Sequence, residues 1–169
     1  IVYHGVCTSP VATHLGHVSP SLEAQVTSSN IQGSTATAYS GFRFVGWFED
    51  STCVTPVPET WVEGTKMVPQ IDMQNMEGSY SFYALFEPIP TDLTIKKTEV
   101  ADDCTDNFIF HVQGVAGTVT EHVDLYITIN GNGSVTICDV YCGQYIITEL
   151  GWSYQFTPDQ AVQNVTVVG

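Results

Sequence analysis

Lys96 and Lys97 stand side by side in LTIKKTEV, residues 93–100, of a chain that has only four basic residues in 169. Read as a strand, this stretch puts Leu93, Ile95 and Lys97 on one face and Thr94, Lys96 and Thr98 on the other. The apolar face is the core face, so Lys97 is expected to point inward. A second stretch, QYIITE over 144–149, alternates in the same way and gives Tyr145, Ile147 and Glu149 one inward face. An amine is nucleophilic only when neutral, and apolar surroundings favour the neutral form of both an amine and a carboxyl. An inward lysine beside an inward acid on a neighbouring strand is thus a pair able to attack a carbonyl and carry a proton. The plain alternatives are a buried salt bridge, or a Lys97 whose head group snorkels out at the strand end.

The elements that must position this pair are strands. Val, Thr, Ile, Tyr and Phe are abundant, whereas Leu, Lys, Arg and Glu are sparse, and that mix favours sheet. STATAYS, FRFVGWFE and YSFYALFE read as strands in the first half, and the stretch over 18–33 is open between loop and a short helix. PIPTD at 88–92 reads as a stiff connector between a module over 1–90 and another over 91–169. In the second module FIFHVQG (108–114), QYIITE, WSYQF (152–156) and VTVV (165–168) read as strands. DLYITINGNGSVTI (124–137) reads as a hairpin turning at NGNG. Six short strands at regular spacing predict a β-sandwich.

Composition narrows the function. The chain is 43% hydrophobic and 13% charged, enough to bury a core. Its net charge of −14 divides into −6 over 1–90 (two basic, eight acidic) and −8 over 91–169 (two basic, ten acidic). Such a field repels nucleic acid and anionic lipid. No apolar run is long enough for a membrane span. Ile1 begins directly in a β-like run, which reads as a mature or trimmed chain without a leader. The five cysteines cannot pair completely, and Cys138 and Cys142, around DVY, are the one pair close enough in sequence to bridge a tight turn.

AYSGFRFVGWFEDSTC, then Trp61, then SYSFYALFEP resembles the Listeria–Bacteroides type repeat, also called the internalin-B B-repeat. The resemblance spans roughly 34–88 and rests on Phe44–Phe48 and Tyr83–Phe86. It implies a small β-grasp-like spacer of a bacterial surface protein. Residues 92–169 resemble the Cna B-type, or SpaA-like, domain of Gram-positive pilins and adhesins. That match rests on LTIKKT, FIFHVQG, GNGSVTI, GQYIITE and WSYQF in that order. It implies a prealbumin-like β-sandwich.

Many Cna B-type domains carry a self-formed isopeptide bond. The resemblance makes Lys97 its lysine and Glu149 its proton-shuttling acid. The family's acceptor is an Asn or Asp on a final strand. Asn164 is the amide available near the end of this chain, but parity sets it on the face opposite Val165 and Val167. The second module is therefore expected to lack its closing strand, which the rest of the same protein or a neighbouring subunit would donate. Without that strand, the amine and the acid are expected to be stranded in apolar surroundings.

His4, Cys7, His14 and His17 fix no ligand set, DDCTD (102–106) lacks the ligand alternation of a calcium loop, and no cofactor or metal is expected. No hydrolase motif occurs. The expected role is therefore a structural or adhesive building block of an extracellular cell-surface or cell-wall protein or pilus-like fibre. It is not an enzyme beyond forming its own cross-link. The expected partners are neighbouring subunits or the rest of the same surface protein, without nucleic acid or membrane insertion. The alternative is an adhesin whose loops around Trp61 or Trp152 engage host protein or glycan.

Overall fold

A computed structural model describes residues 1–7, 15–72, 78–98, 101, 103–151 and 162–168. It is almost entirely β-structure, in two compact units, Ile1–Pro88 and Ile89–Gly169. The break falls between Pro88 and Ile89 rather than after a connector. Strand β7 (Ser81–Pro88) ends at the first proline and β8 (Pro90–Lys97) begins at the second, leaving Ile89 alone between them. Pro90 is tolerated at the start of β8 because a strand end needs no donor there.

The first unit is built on β7. Strand β1 (Val2–Cys7) runs parallel to it on one side and β4 (Phe42–Phe48) antiparallel on the other. A second sheet orders β2 (Gly16–Ser19), β3 (Ser34–Ala38), β6 (Lys66–Met67) and β5 (Val62–Glu63). Alternation along β7 buries Phe82, Ala84 and Phe86 and turns Tyr83 and Leu85 outward. Tyr3 and Trp47 meet edge to face across this strand with ring centroids 6.1 Å apart. The Trp47 indole N–H donates to the Thr65 carbonyl at 3.0 Å, so its one polar group is satisfied in the core. A bulge between Phe44 and Gly46 breaks the alternation of β4, which is why Val45 is 45% exposed while Trp47 is buried. Residues 18–33 form no helix. After β2 they run through turns held by Glu23, whose carboxylate accepts from the Tyr3 hydroxyl at 2.6 Å and the Gln32 N–H at 2.7 Å.

The second unit packs two sheets face to face. One orders β10 (Asp124–Asn130), β9 (Asn107–Gly114), β12 (Gly143–Leu150) and β13 (Val162–Val167). The other pairs β8 with β11 (Gly133–Tyr141). Leu93 and Ile95 from one sheet pack with Phe108, Phe110, Val112, Ile129, Tyr145 and Ile147 from the other.

The expected hairpin over 124–137 is absent. β10 pairs with β9 and β11 with β8, so the chain changes sheet at residues 131–132. The turn is tied elsewhere: the Gly131 N–H donates to the Asp106 carbonyl at 2.9 Å, and the Asn130 amide to the Thr105 carbonyl at 2.6 Å. Gly131 has φ 53°, and a Cβ there would lie 2.3 Å from the Cys104 carbonyl oxygen. The glycine thus serves a corner between sheets rather than a two-residue hairpin.

Candidate functional site

Lys97 ends β8, and parity holds. Leu93, Ile95 and Lys97 face the core while Thr94 and Lys96 are exposed. Glu149 lies near the end of β12 on the face of Tyr145 and Ile147. The two strands belong to opposite sheets, so the side chains meet across the sandwich. Lys97 Nζ donates to Glu149 Oε1 at 2.9 Å and to Oε2 at 3.0 Å. The side chains are 17% and 11% exposed. The Phe108 ring lies beneath the ammonium, 4.7 Å from Nζ to the ring centroid, within cation–π range.

This geometry changes one expectation. The amine and the acid are not stranded, because each satisfies the other. Among the described residues no buried side-chain nitrogen or oxygen lacks a partner. The pair is a nearly buried ion pair, and a third group is not required to complete its hydrogen bonding.

Asn164 lies elsewhere. It sits opposite Ile146 in the β12–β13 ladder, exposed on the outer face, whereas Val165 and Val167 turn inward. It is therefore not placed to meet Lys97. Among the described residues β8 pairs only with β11, so no described strand covers its second edge, beside the Lys97–Glu149 couple.

The Phe108 contact was within reach of the sequence, because Phe108, Phe110 and Val112 alternate inward just as Lys97 does. Cys138 and Cys142 form no bridge, in keeping with the reading of scattered free thiols. Cys53, Cys104, Cys138 and Cys142 are free, with Cys138 exposed and Cys142 buried. A bulge lies between Ile137 and Val140, with Asp139 at φ 58°. The charge of Asp92, chiefly, pushes the Cys138 thiol up from its ordinary value.

Of the histidines, His4 stacks on Tyr83 and His17 on Tyr39, and no cluster of metal-ligating side chains forms among the described residues. His14, Asp102, Trp152 and the rest of WSYQF lie outside the described residues. Trp61 is half-buried, with its ring edge-to-face on Phe82 at 6.1 Å.

Fold and site together define a two-unit β-protein whose second unit is a sandwich with a lysine–glutamate couple closing one end of its core. No family model, curated protein or solved structure matches the chain.

Proposed function

We propose that the chain is a structural or adhesive building block of a bacterial cell-surface protein or pilus-like fibre. Its second unit is completed by a strand that adds to the free edge of β8 and is cross-linked to Lys97. The observation that carries this reading is the Lys97–Glu149 couple, held across the core beside Phe108 at the end of a strand that, among the described residues, is paired on one edge only. A strand pairing along that edge would bring an inward side chain within about 5 Å of Lys97, the spacing of cross-strand neighbours. With an Asn there, the Lys97 ammonium first passes a proton to the Glu149 carboxylate, and the neutral amine then attacks the Asn side-chain carbonyl. The new C–N bond replaces the amide's own, and ammonia leaves with a proton relayed by Glu149. With Asp, water leaves instead. The reading also draws on the resemblance of 92–169 to Cna B-type domains.

The test is migration after boiling in detergent. A strand from a neighbouring subunit gives a ladder of multimers that Lys97→Ala collapses to monomers. A strand from the same chain gives a compact monomer that runs faster than its Lys97→Ala variant. A protein isolated from its native cells that migrates identically with and without Lys97, as a linear monomer, contradicts the cross-link.

A further inference from the structure

A strand that joins the second edge of β8 must halt in one register if it is to reach Lys97. A slip of one residue turns its Asn or Asp to the outer face, and a slip of two carries it about 7 Å along the strand. The inward Leu93 and Ile95 do not fix that register, because apolar contact is non-directional. The outward face of β8 carries charge that can. Asp92, Thr94 and Lys96 are exposed there. Thr94 is tied to Thr136 of β11 at 2.8 Å. Lys96 stands opposite the uncharged Ser134, and no ion pair among the described residues engages its ammonium. Asp92 accepts a hydrogen bond from the Cys138 thiol, which does not neutralise it.

The outward side of β8 therefore reads negative, neutral, positive over about 13 Å, four strand residues. Lys96 and Lys97 are also the only Lys or Arg residues of the second unit, against ten acidic ones. Opposite charges facing each other across a ladder stabilise it, and like charges oppose it. We infer that Asp92 and Lys96 select the donated strand and set its register. That strand carries an acidic side chain beside Lys96, a basic one beside Asp92, and its Asn or Asp next to the acid. Parallel to β8 the order is base, apolar, polar, apolar, acid, Asn or Asp, and antiparallel it is the reverse. A slip of two residues takes both charges off their partners. This selection rests on the proposed cross-link and adds to it the chemistry that the partner presents.

The test is a pulse–chase of the full protein in its native cells, read as the fraction of branched Lys97 peptide after denaturing digestion. Tandem mass spectrometry of that species should show an acidic residue beside the linked Asn or Asp. Lys96→Glu should slow its formation about fivefold, the scale of one cross-strand charge pair, and Lys96→Arg should not. Exchanging the partner's acid for lysine should restore the rate in Lys96→Glu. That rescue separates strand selection from any effect of the new carboxylate on Lys97 itself. Strand selection is overturned, and the cross-link left standing, if the branched species forms equally fast in Lys96→Glu. The same holds if no acid flanks the linked residue, or if the exchange does not rescue Lys96→Glu. A parent protein that yields only a linear Lys97 peptide overturns the cross-link and the selection with it.

Discussion

Lys97 and Glu149 reach each other from opposite sheets, with Nζ 2.9 Å from one carboxylate oxygen and 3.0 Å from the other. The pair joins the two layers of the sandwich at the end of β8, where the core residues Leu93 and Ile95 give way to the strand terminus. Removing one partner leaves a nearly buried charge alone. Glu149→Leu is therefore expected to destabilise the second unit by about 2–3 kcal/mol, and Lys97→Met/Glu149→Leu together by much less. Urea unfolding of the two variants checks this. A double variant as unstable as the single one would show that packing, not charge, sets the cost.

Tyr145 is buried completely, and its hydroxyl donates to the Tyr141 carbonyl at 2.6 Å. Tyr145→Phe removes the donor and leaves that carbonyl short of a partner. The expected loss is about 1–2 kcal/mol, read from thermal or urea unfolding. An unchanged midpoint would mean that water replaces the phenol.

Burial, then the hydrogen bond and charge of Glu23, raise the Tyr3 phenol far above its ordinary value. Burial also raises Tyr145. A folded state that holds a proton more tightly than the unfolded chain is stabilised below the unfolded pKa. That stability drains away as the pH rises, so here the loss begins above about pH 10, the unperturbed tyrosine value. Stability measured against pH is expected to fall above that point, with a shallower fall in Tyr3→Phe for the first unit. A slope identical in parent and variant would contradict the assignment.

Asp50 organises the loop after β4. Its carboxylate accepts from the Thr52 hydroxyl and from the amides of Thr52 at 2.9 Å, Val54 at 3.2 Å and Thr55 at 2.7 Å. The Thr52 hydroxyl and then the Thr55 amide hold its pKa well below the usual carboxylate range. A depressed pKa means the loop is supported above the unfolded value and released as acid protonates the group. Asp50→Ala is expected to speed hydrogen exchange at Thr52, Val54 and Thr55 at neutral pH. Equal exchange in variant and parent would sink this.

Much of this architecture was legible because strand parity is a local rule. Two inward apolar neighbours were enough to place Lys97, Glu149 and Asn164 on their faces. What parity does not carry is sheet membership. NGNG satisfies a hairpin and a corner equally well, and only the contacts of Asn130 and Gly131 with Thr105 and Asp106 decide between them. For the same reason parity alone left open whether Lys97 and Glu149 share a sheet or face each other across the core, as they do. It also left the amine and acid without partners, because mutual satisfaction depends on a distance between sheets that alternation does not encode.

The central claim, that Lys97 is the lysine of a covalent cross-link, is tested most directly by mass spectrometry of the peptide that carries it. The protein should come from its native cells and be digested under denaturing conditions. The account predicts a branched species, in which the Lys97 peptide is joined to a second peptide bearing Asn or Asp. Its mass should equal the sum of the two less one ammonia or one water, and the species should be lost in Lys97→Ala. A linear Lys97 peptide with a free amine in all molecules would contradict the account and leave Lys97 and Glu149 as an ion pair joining two sheets.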